Sequence, residues 1–485
     1  MEVAANAEGI SMSEEAARQG TDTYEWFHRA ALKGNPYAQF NLAQLYLRGA
    51  GVARDDTKAA AWMARAAQKG LAYAQNHLGA MYYNGRGVER DHARAAHWFR
   101  RAALQGDRSA QHNLGQLYRK GCGVPRSHKA AIGWFYRAAE QGMARAQAQL
   151  AEGYLHGLGV TVSHPLAMAW FRKAAMQGHV PAQVQLAQMY ARGQGVAPSP
   201  TQALYWFRHA AAAGDPGAQR QLGLAYAEGR GAGADQALAI QWLERAAAGG
   251  EREALYLLGG LLCGGGMPRD SARALRCYQQ AAAQGHVQAQ YRAARMLAGG
   301  CGVQRDPVRA LALYLQAAEG GAANAQFALG LLYAKGQGVP YDPARAAAWY
   351  QMAAQQGDAS AQNNLGAMYA CGVGVPRDDM LAAHWYRLAA RQDHAPAQHN
   401  LGGLYAAGRG VARNPVRACM WAWLARQGKG LEKAAPADVA LAANMAANDY
   451  TAALSPAERS RARALVERWL AVKTGPRALL GRTRA

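Results

Sequence analysis

The side chains with chemistry to offer are few, and their spacing argues against catalysis. Six cysteines and fourteen histidines are scattered through 485 residues. No Cys-x-x-Cys pair occurs, whereas a disulfide framework or a structural zinc site needs closely and regularly spaced ligands. Cys122 and Cys301 fall between paired glycines, and His97 and His384 each precede a tryptophan at equivalent points of a recurring pattern. Ser-x-x-Lys, His-Glu-x-x-His, a nucleophile elbow and a phosphate loop are all missing from any context that would support their chemistry. The expectation is no catalytic residue, no metal and no cofactor.

Charge is the other chemistry on offer. The formal net charge is +22. Arg54, Arg90, Arg126, Arg269, Arg305, Arg377 and Arg413 recur at one position, usually before an Asp or its substitute, and Arg65, Arg101, Arg137, Lys173 and Arg245 form a second stripe. Local ion pairing and solubility account for much of this charge. An acidic protein segment is the functional partner that suits it, with Arg90, Arg126 and Arg137 as candidate contacts. Nucleic acid could use the same field through its phosphates. However, the aromatic residues lie at packing positions rather than in an exposed series on which bases could stack.

The elements that must position these residues follow from a lattice. Trp26, Trp62, Trp98, Trp134, Trp170, Trp206 and Trp242 are spaced by 36 residues, and Trp349, Trp385 and Trp421 resume that spacing. A fixed period of this length means one supersecondary unit stacked repeatedly. In one such unit Ala74, Leu78, Ala80, Met81 and Tyr82 make the apolar face of a first helix, and Gly85 and Gly87 turn the chain. Asp91 is placed to cap a second helix whose apolar face is Ala95, Trp98, Phe99, Ala102 and Ala103, and Gly106 ends it. The unit is thus an antiparallel helix pair. Alanine pairs permit close approach, and the Trp and Tyr ladders are expected to fill the space between neighbouring pairs. Gly-x-Gly here joins two helices, so it is not a dinucleotide fingerprint, which requires a preceding strand.

The recurring Ala-Gln-x-x-Leu-Gly-x-x-Tyr, Gly-x-Gly-Val, an acidic residue such as Asp55, Asp91, Asp306 or Asp378, and Ala-x-x-Trp-Tyr/Phe-x-x-Ala-Ala resemble the Sel1-like repeat family, which is related to the tetratricopeptide repeats. The resemblance covers eleven units from Ala38 onward plus a leading second helix from Tyr24 to Gly34. It implies an all-α, right-handed superhelical solenoid that acts as a noncatalytic protein–protein adaptor, in bacterial signalling or envelope-related regulation. One branch of the family is linked to secreted penicillin-binding or β-lactamase-like proteins with paired cysteines, which makes a cell-wall or β-lactam-related hydrolase the alternative. This chain lacks those recurrent pairs. A nucleic-acid-binding solenoid is the third reading.

The organisation expected along the chain is a flexible segment over 1–23, the solenoid over 24–430, capping helices over 431–473 and a basic tail over 474–485. Within the cap, Ala435 to Tyr450 suits one helix, and Arg463, Leu465, Val466, Trp469 and Leu470 suit a final amphipathic one. No secretory signal pattern opens the sequence and no run of eighteen apolar residues exists, so a cytoplasmic protein is expected. Gln39, Gln75, Gln111, Gln147, Gln183, Gln219, Gln290, Gln326, Gln362 and Gln398 form a row that could bond neighbouring loops or a ligand. The variable neighbours Asn41, His77, Asn113, Gln149, Gln185 and Gln221 are the candidate partner-facing residues, because they can change without disturbing the packing frame. One unit departs from the lattice. Between Ala254 and Ala289 the step is 35 residues, Leu262 replaces Tyr and Cys277 replaces Trp, which marks a candidate discontinuity.

Overall fold

A computed structural model describes residues 20–264, 270–427 and 454–474. All described elements are α-helices: a leading helix Gly20–Leu32, eleven antiparallel pairs from Pro36–Arg48 with Asp56–Gln68 through Ala395–Ala407 with Pro415–Gln427, and a closing helix Pro456–Thr474. The chain divides into two compact units, 1–249 and 250–485. Each is a stack of helix pairs. The helix expected from Ala435 to Tyr450, residues 1–19 of the N-terminal segment, the basic tail beyond Thr474 and part of the shortened loop around Gly265, Gly266 and Met267 lie outside the described residues, whereas residues 20–23, expected to be flexible, begin the leading helix.

The pair Ala72–Asn84 and His92–Leu104 shows why this sequence takes this shape. The first helix stops where Gly85 adopts φ 70° and donates its N–H to Met81 O. The returning chain is then pinned back on the helix it left, with Asp91 N donating to Tyr82 O at 3.0 Å. Asp91 accepts Arg94 N–H at 2.9 Å and so starts the second helix. Two glycines bring backbones together. A Cβ on Gly79 would meet Phe99 Cδ1 at 2.7 Å, and one on Gly87, at φ 70°, would meet Asp56 O of the preceding repeat at 1.8 Å. The first glycine closes a pair, whereas the second closes one pair on the next.

The tryptophans do stand between neighbouring pairs, as Trp98, Trp134 and Trp385 each pack against the core of the preceding pair, but most are not deeply buried. Trp62, Trp98, Trp134 and Trp242 are only half-buried and Trp26 is 41% exposed, whereas most of the residues that follow a lattice tryptophan are buried, as in Met63, Phe99, Phe135, Phe171 and Leu243, with Phe27 and Ala422 half-buried. Adjacent helical residues point about 100° apart. Phe99 shares its face with Ala95, Ala96, Ala102 and Ala103, all buried, and therefore fills the middle of the pair. Trp98 is rotated towards the rim, where its helix meets the neighbouring second helix and solvent. Trp170, Trp206 and Trp421 are buried, so the ladder varies in depth along the chain.

In the second unit, Cys277 and Tyr278 are both buried in the irregular repeat, and Asp270 N still reaches Leu262 O, at 3.3 Å. The closing helix lies on the last pair through Trp469 against Trp421, ring centroids 5.1 Å apart, and through buried Val466. Lys473 Nζ donates to Arg391 O at 2.8 Å.

Candidate partner-binding surfaces

The glutamine row is structural. Gln75 Nε2 donates to Ala67 O at 3.0 Å, and the same bond recurs at Gln39, Gln111, Gln147, Gln183, Gln219, Gln326, Gln362 and Gln398 at 3.0–3.2 Å, with Gln290 at 3.5 Å. Each reaches back to the carbonyl end of the preceding second helix, where no intrahelical donor is left. The free amide oxygen is then taken by a second glutamine 30 residues on: Gln105 bonds Gln75, Gln141 bonds Gln111, Gln177 bonds Gln147, Gln356 bonds Gln326 and Gln392 bonds Gln362, at 2.7–3.0 Å. This second row escaped the sequence reading, although its own period was visible. Where it is interrupted the structure shows the cost. Gln39 Oε1 and Gln183 Oε1 are buried without a partner, because Lys69 and Ala213 occupy the donor position and Lys69 turns instead to Gly34 O.

The row proposed to face a partner lies on the first helices. Successive first helices stand side by side, as shown by Phe40 against His77 at 5.4 Å between ring centroids and by Asn113 Nδ2 donating to Asn76 Oδ1 at 3.1 Å. Of the six residues His77 is exposed, while Asn41, Asn113, Gln149, Gln185 and Gln221 are half-buried. Titratable groups along this face are partly desolvated. Desolvation lowers the His77 and His112 imidazoles, and burial raises the Glu152 carboxyl against the opposing pull of Arg119, His156 and a hydrogen bond from Gln149. In the second unit the same inter-helix bond recurs beside a more deeply buried pair. Asn363 and Asn364 are buried, bonded to each other at 3.3 Å, and Asn400 Nδ2 donates to Asn363 Oδ1 at 3.0 Å.

The three arginines expected to meet an acidic partner are not on one element. Arg90 and Arg126 lie in equivalent inter-helix loops beside His92, at 3.0–3.1 Å, and His128, at 3.3 Å. Elsewhere the loop arginine has an acid at that point: Arg54 pairs with Asp56 and Arg377 with Asp379, both at 3.1 Å. Two further arginines missed in the sequence reinforce those acids. Arg86 spans to Asp56 and Leu47 O, and Arg409 spans to Asp379 and Ala370 O, so each ties a loop to the preceding repeat. The hydrogen bond from Arg86, seconded by that from Arg54, pulls the Asp56 carboxyl down to about 2.

Arg137 belongs instead to the second-helix stripe. Its guanidinium lies 4.5 Å from the centroid of Trp134, and Arg65, Arg101, Lys173 and Arg245 lie over Trp62, Trp98, Trp170 and Trp242 at 4.4, 5.3, 3.9 and 4.8 Å. All five cations are exposed. Elsewhere, all six cysteines are free thiols, and no group of three metal-ligating side chains forms among the described residues. Among those residues no helix is long and apolar enough to cross a membrane.

Comparison with known proteins identifies the architecture. The model of the Sel1 repeat matches twelve consecutive segments from 23–35, 36–71 and 72–107 through to 395–425. A solved structure of a protective antigen from uropathogenic Escherichia coli, described as displaying an SLR fold, is 34% identical with a TM-score of 0.75, covering 92% of this chain and 94% of that one. A Sel1 repeat protein from Oxalobacter formigenes is 35% identical over 49% of this chain and 96% of its own, with a TM-score of 0.44. No curated protein matches the chain. Helix pairs locked by the glutamine and glycine positions, the family match and the antigen's likeness over nearly the whole length all agree: the chain belongs to the Sel1 repeat family and is a helical-repeat module for protein–protein interaction.

Proposed function

We propose that this chain is an adaptor that holds a protein partner along the recessed first-helix face of its N-terminal unit, and that acidic segments of that partner meet its cationic residues. The observation that carries the reading is the contrast between two polar rows on the same helices. The glutamines are spent on main-chain carbonyls, whereas of the second row His77 is exposed and Asn41, Asn113, Gln149, Gln185 and Gln221 are half-buried, bonding where they do to side chains of the same face, as Asn113 does to Asn76 and Gln149 to Glu152. A half-buried polar face is partly desolvated before any ligand arrives. A partner that satisfies its donors and acceptors gains affinity, whereas one that leaves them unpaired loses it. The formal charge of +22 supports an acidic partner, since long-range attraction raises the association rate.

Native affinity purification with the intact chain tests this. A partner recovered with the parent and lost with a His77→Ala, Asn113→Ala, Gln149→Ala triple variant of unchanged helical signal supports the reading. Capture that is indifferent to the triple variant removes the first-helix face. The hydrolase alternative predicts stoichiometric labelling by a fluorescent β-lactam, and the adaptor reading predicts none above a denatured control.

A further inference from the structure

The cation-over-indole stripe has a feature that the rest of the charge lacks: it is confined to one unit and stepped once per repeat. In the N-terminal unit the residue three after the lattice tryptophan is Arg65, Arg101, Arg137, Lys173, His209 and Arg245 in succession. In the C-terminal unit the same position is Met352, Leu388 and Leu424 after Trp349, Trp385 and Trp421. The same helix pair thus forms in the C-terminal unit without a cation there. The second helices that carry the stripe contain only Asp56, Glu140 and Glu244 as acidic residues, and they pack side by side, with Tyr136 6.1 Å from the next repeat's Trp170.

From this geometry we infer that the stripe is a docking track for an extended acidic polypeptide with a carboxylate at about every third residue. Three points of chemistry lead there. A guanidinium held over an indole three residues earlier on its own helix has less side-chain entropy left to lose, and it stays exposed to an incoming carboxylate. Packed helices are spaced by about 8–10 Å, and a chain in the polyproline II conformation advances about 3.1 Å per residue with three residues per turn, so every third side chain returns to the same side and falls opposite the next cation. The ring faces are already covered by the cations. The indoles of the stripe are therefore poor stacking platforms for nucleobases, and Tyr136 and Tyr205, exposed on the same helices, do not recur from repeat to repeat.

The inference rests on the acidic-partner reading above and sharpens it, moving the contact from Arg90 and Arg126 to the line through Arg137. Fluorescence anisotropy with the full chain decides it. The probes are a labelled peptide with Glu at every third position, an isomer of identical composition with its Glu residues in one block, and a single-stranded oligothymidylate. The spaced peptide is expected to bind more tightly than the block isomer. An Arg65→Gln, Arg101→Gln, Arg137→Gln variant is expected to lose about tenfold or more of that affinity, from up to about fivefold per exposed pair, and to show a shallower salt dependence. Arg65→Lys, Arg101→Lys, Arg137→Lys should recover part of it, while Arg90→Gln, Arg126→Gln should leave it unchanged. Equal binding of the two peptides, equal loss in the loop variant, or tighter binding of the oligonucleotide overturns the track. Absence of binding by either peptide at low salt overturns the acidic-partner reading as well, and capture of the native partner then tests the first-helix face by itself.

Discussion

At the scale of single residues, position on the lattice sets the consequence of a substitution more than residue type does. Phe99 is 3% exposed and faces Gly79, while its neighbour Trp98 is half-buried beneath Arg101. Phe99→Ala is therefore expected to destabilise the N-terminal unit by about 3–5 kcal/mol, and Trp98→Ala by clearly less although the ring is larger. Urea unfolding of both variants checks the order, and the reverse order would mean that the rim position carries the packing. The orphaned oxygen of Gln183 gives a prediction of opposite sign. Ala213 has φ −76° and ψ 1°, close to the −85° and 9° of Gln177, which bonds Gln147. Ala213→Gln should supply the missing donor and stabilise by about 0.5–1.5 kcal/mol, seen as a raised urea midpoint with an unchanged slope.

At the scale of the helix, two chemical classes among the N-caps, aspartate and histidine, respond differently to pH. Asp107, Asp215 and Asp358 accept the Ala110, Ala218 and Ala361 N–H groups, each at 2.7 Å. At the equivalent places His179 and His394 accept with Nδ1, each at 3.3 Å from Ala182 N and Ala397 N. A histidine can cap only while neutral. Burial lowers the His179 imidazole, assisted by Arg145, and burial lowers that of His394 against the pull of Asp358. A base whose folded pKa is depressed binds protons first in the unfolded chain, so its stabilising contribution is present above the ordinary histidine value of about 6.5 and is lost as pH falls below it. Unfolding midpoints are expected to fall between pH 7 and 5, and His179→Asp with His394→Asp should flatten that slope. A slope that is unchanged in the double variant would place the proton uptake elsewhere.

At the scale of the molecule, the question is how evenly the repeats resist opening. The two compact units meet in sequence at Gly249 and Gly250, shortly before the irregular repeat that begins at Ala254. That repeat keeps a core, with Cys277, Tyr278, Ala281 and Ala282 buried, yet its loop pin from Asp270 N to Leu262 O, at 3.3 Å, is longer than the 3.0 Å of Asp91 N to Tyr82 O. Less aromatic volume and a weaker pin should lower the free energy of local opening. Hydrogen exchange is expected to be faster over 254–264 and 270–288 than in the pairs that keep Trp98 and Trp349. Equal or stronger protection would show that the smaller side chains repack without loss.

What the sequence determined by itself was everything that recurs. The 36-residue step, the helix pair, the Asp91 type of cap, the turn glycines and the family resemblance all follow from local preferences repeated until they are unmistakable. Docking decided what periodicity leaves degenerate. Trp98 and Phe99 are neighbours on one lattice and look equally apolar, but the rotation at which the helix settles on Gly79 buries the second and sends the first to the rim. Gln75 and Gln105 each have a period, but only the stacked pairs reveal that one completes the hydrogen bonding of the other. Likewise Arg101 reads as one more surface charge until the helix places it over Trp98. In each case the sequence names the groups. Their mutual distance is set by how one helix rests on the next, which is a property of packing rather than of local propensity.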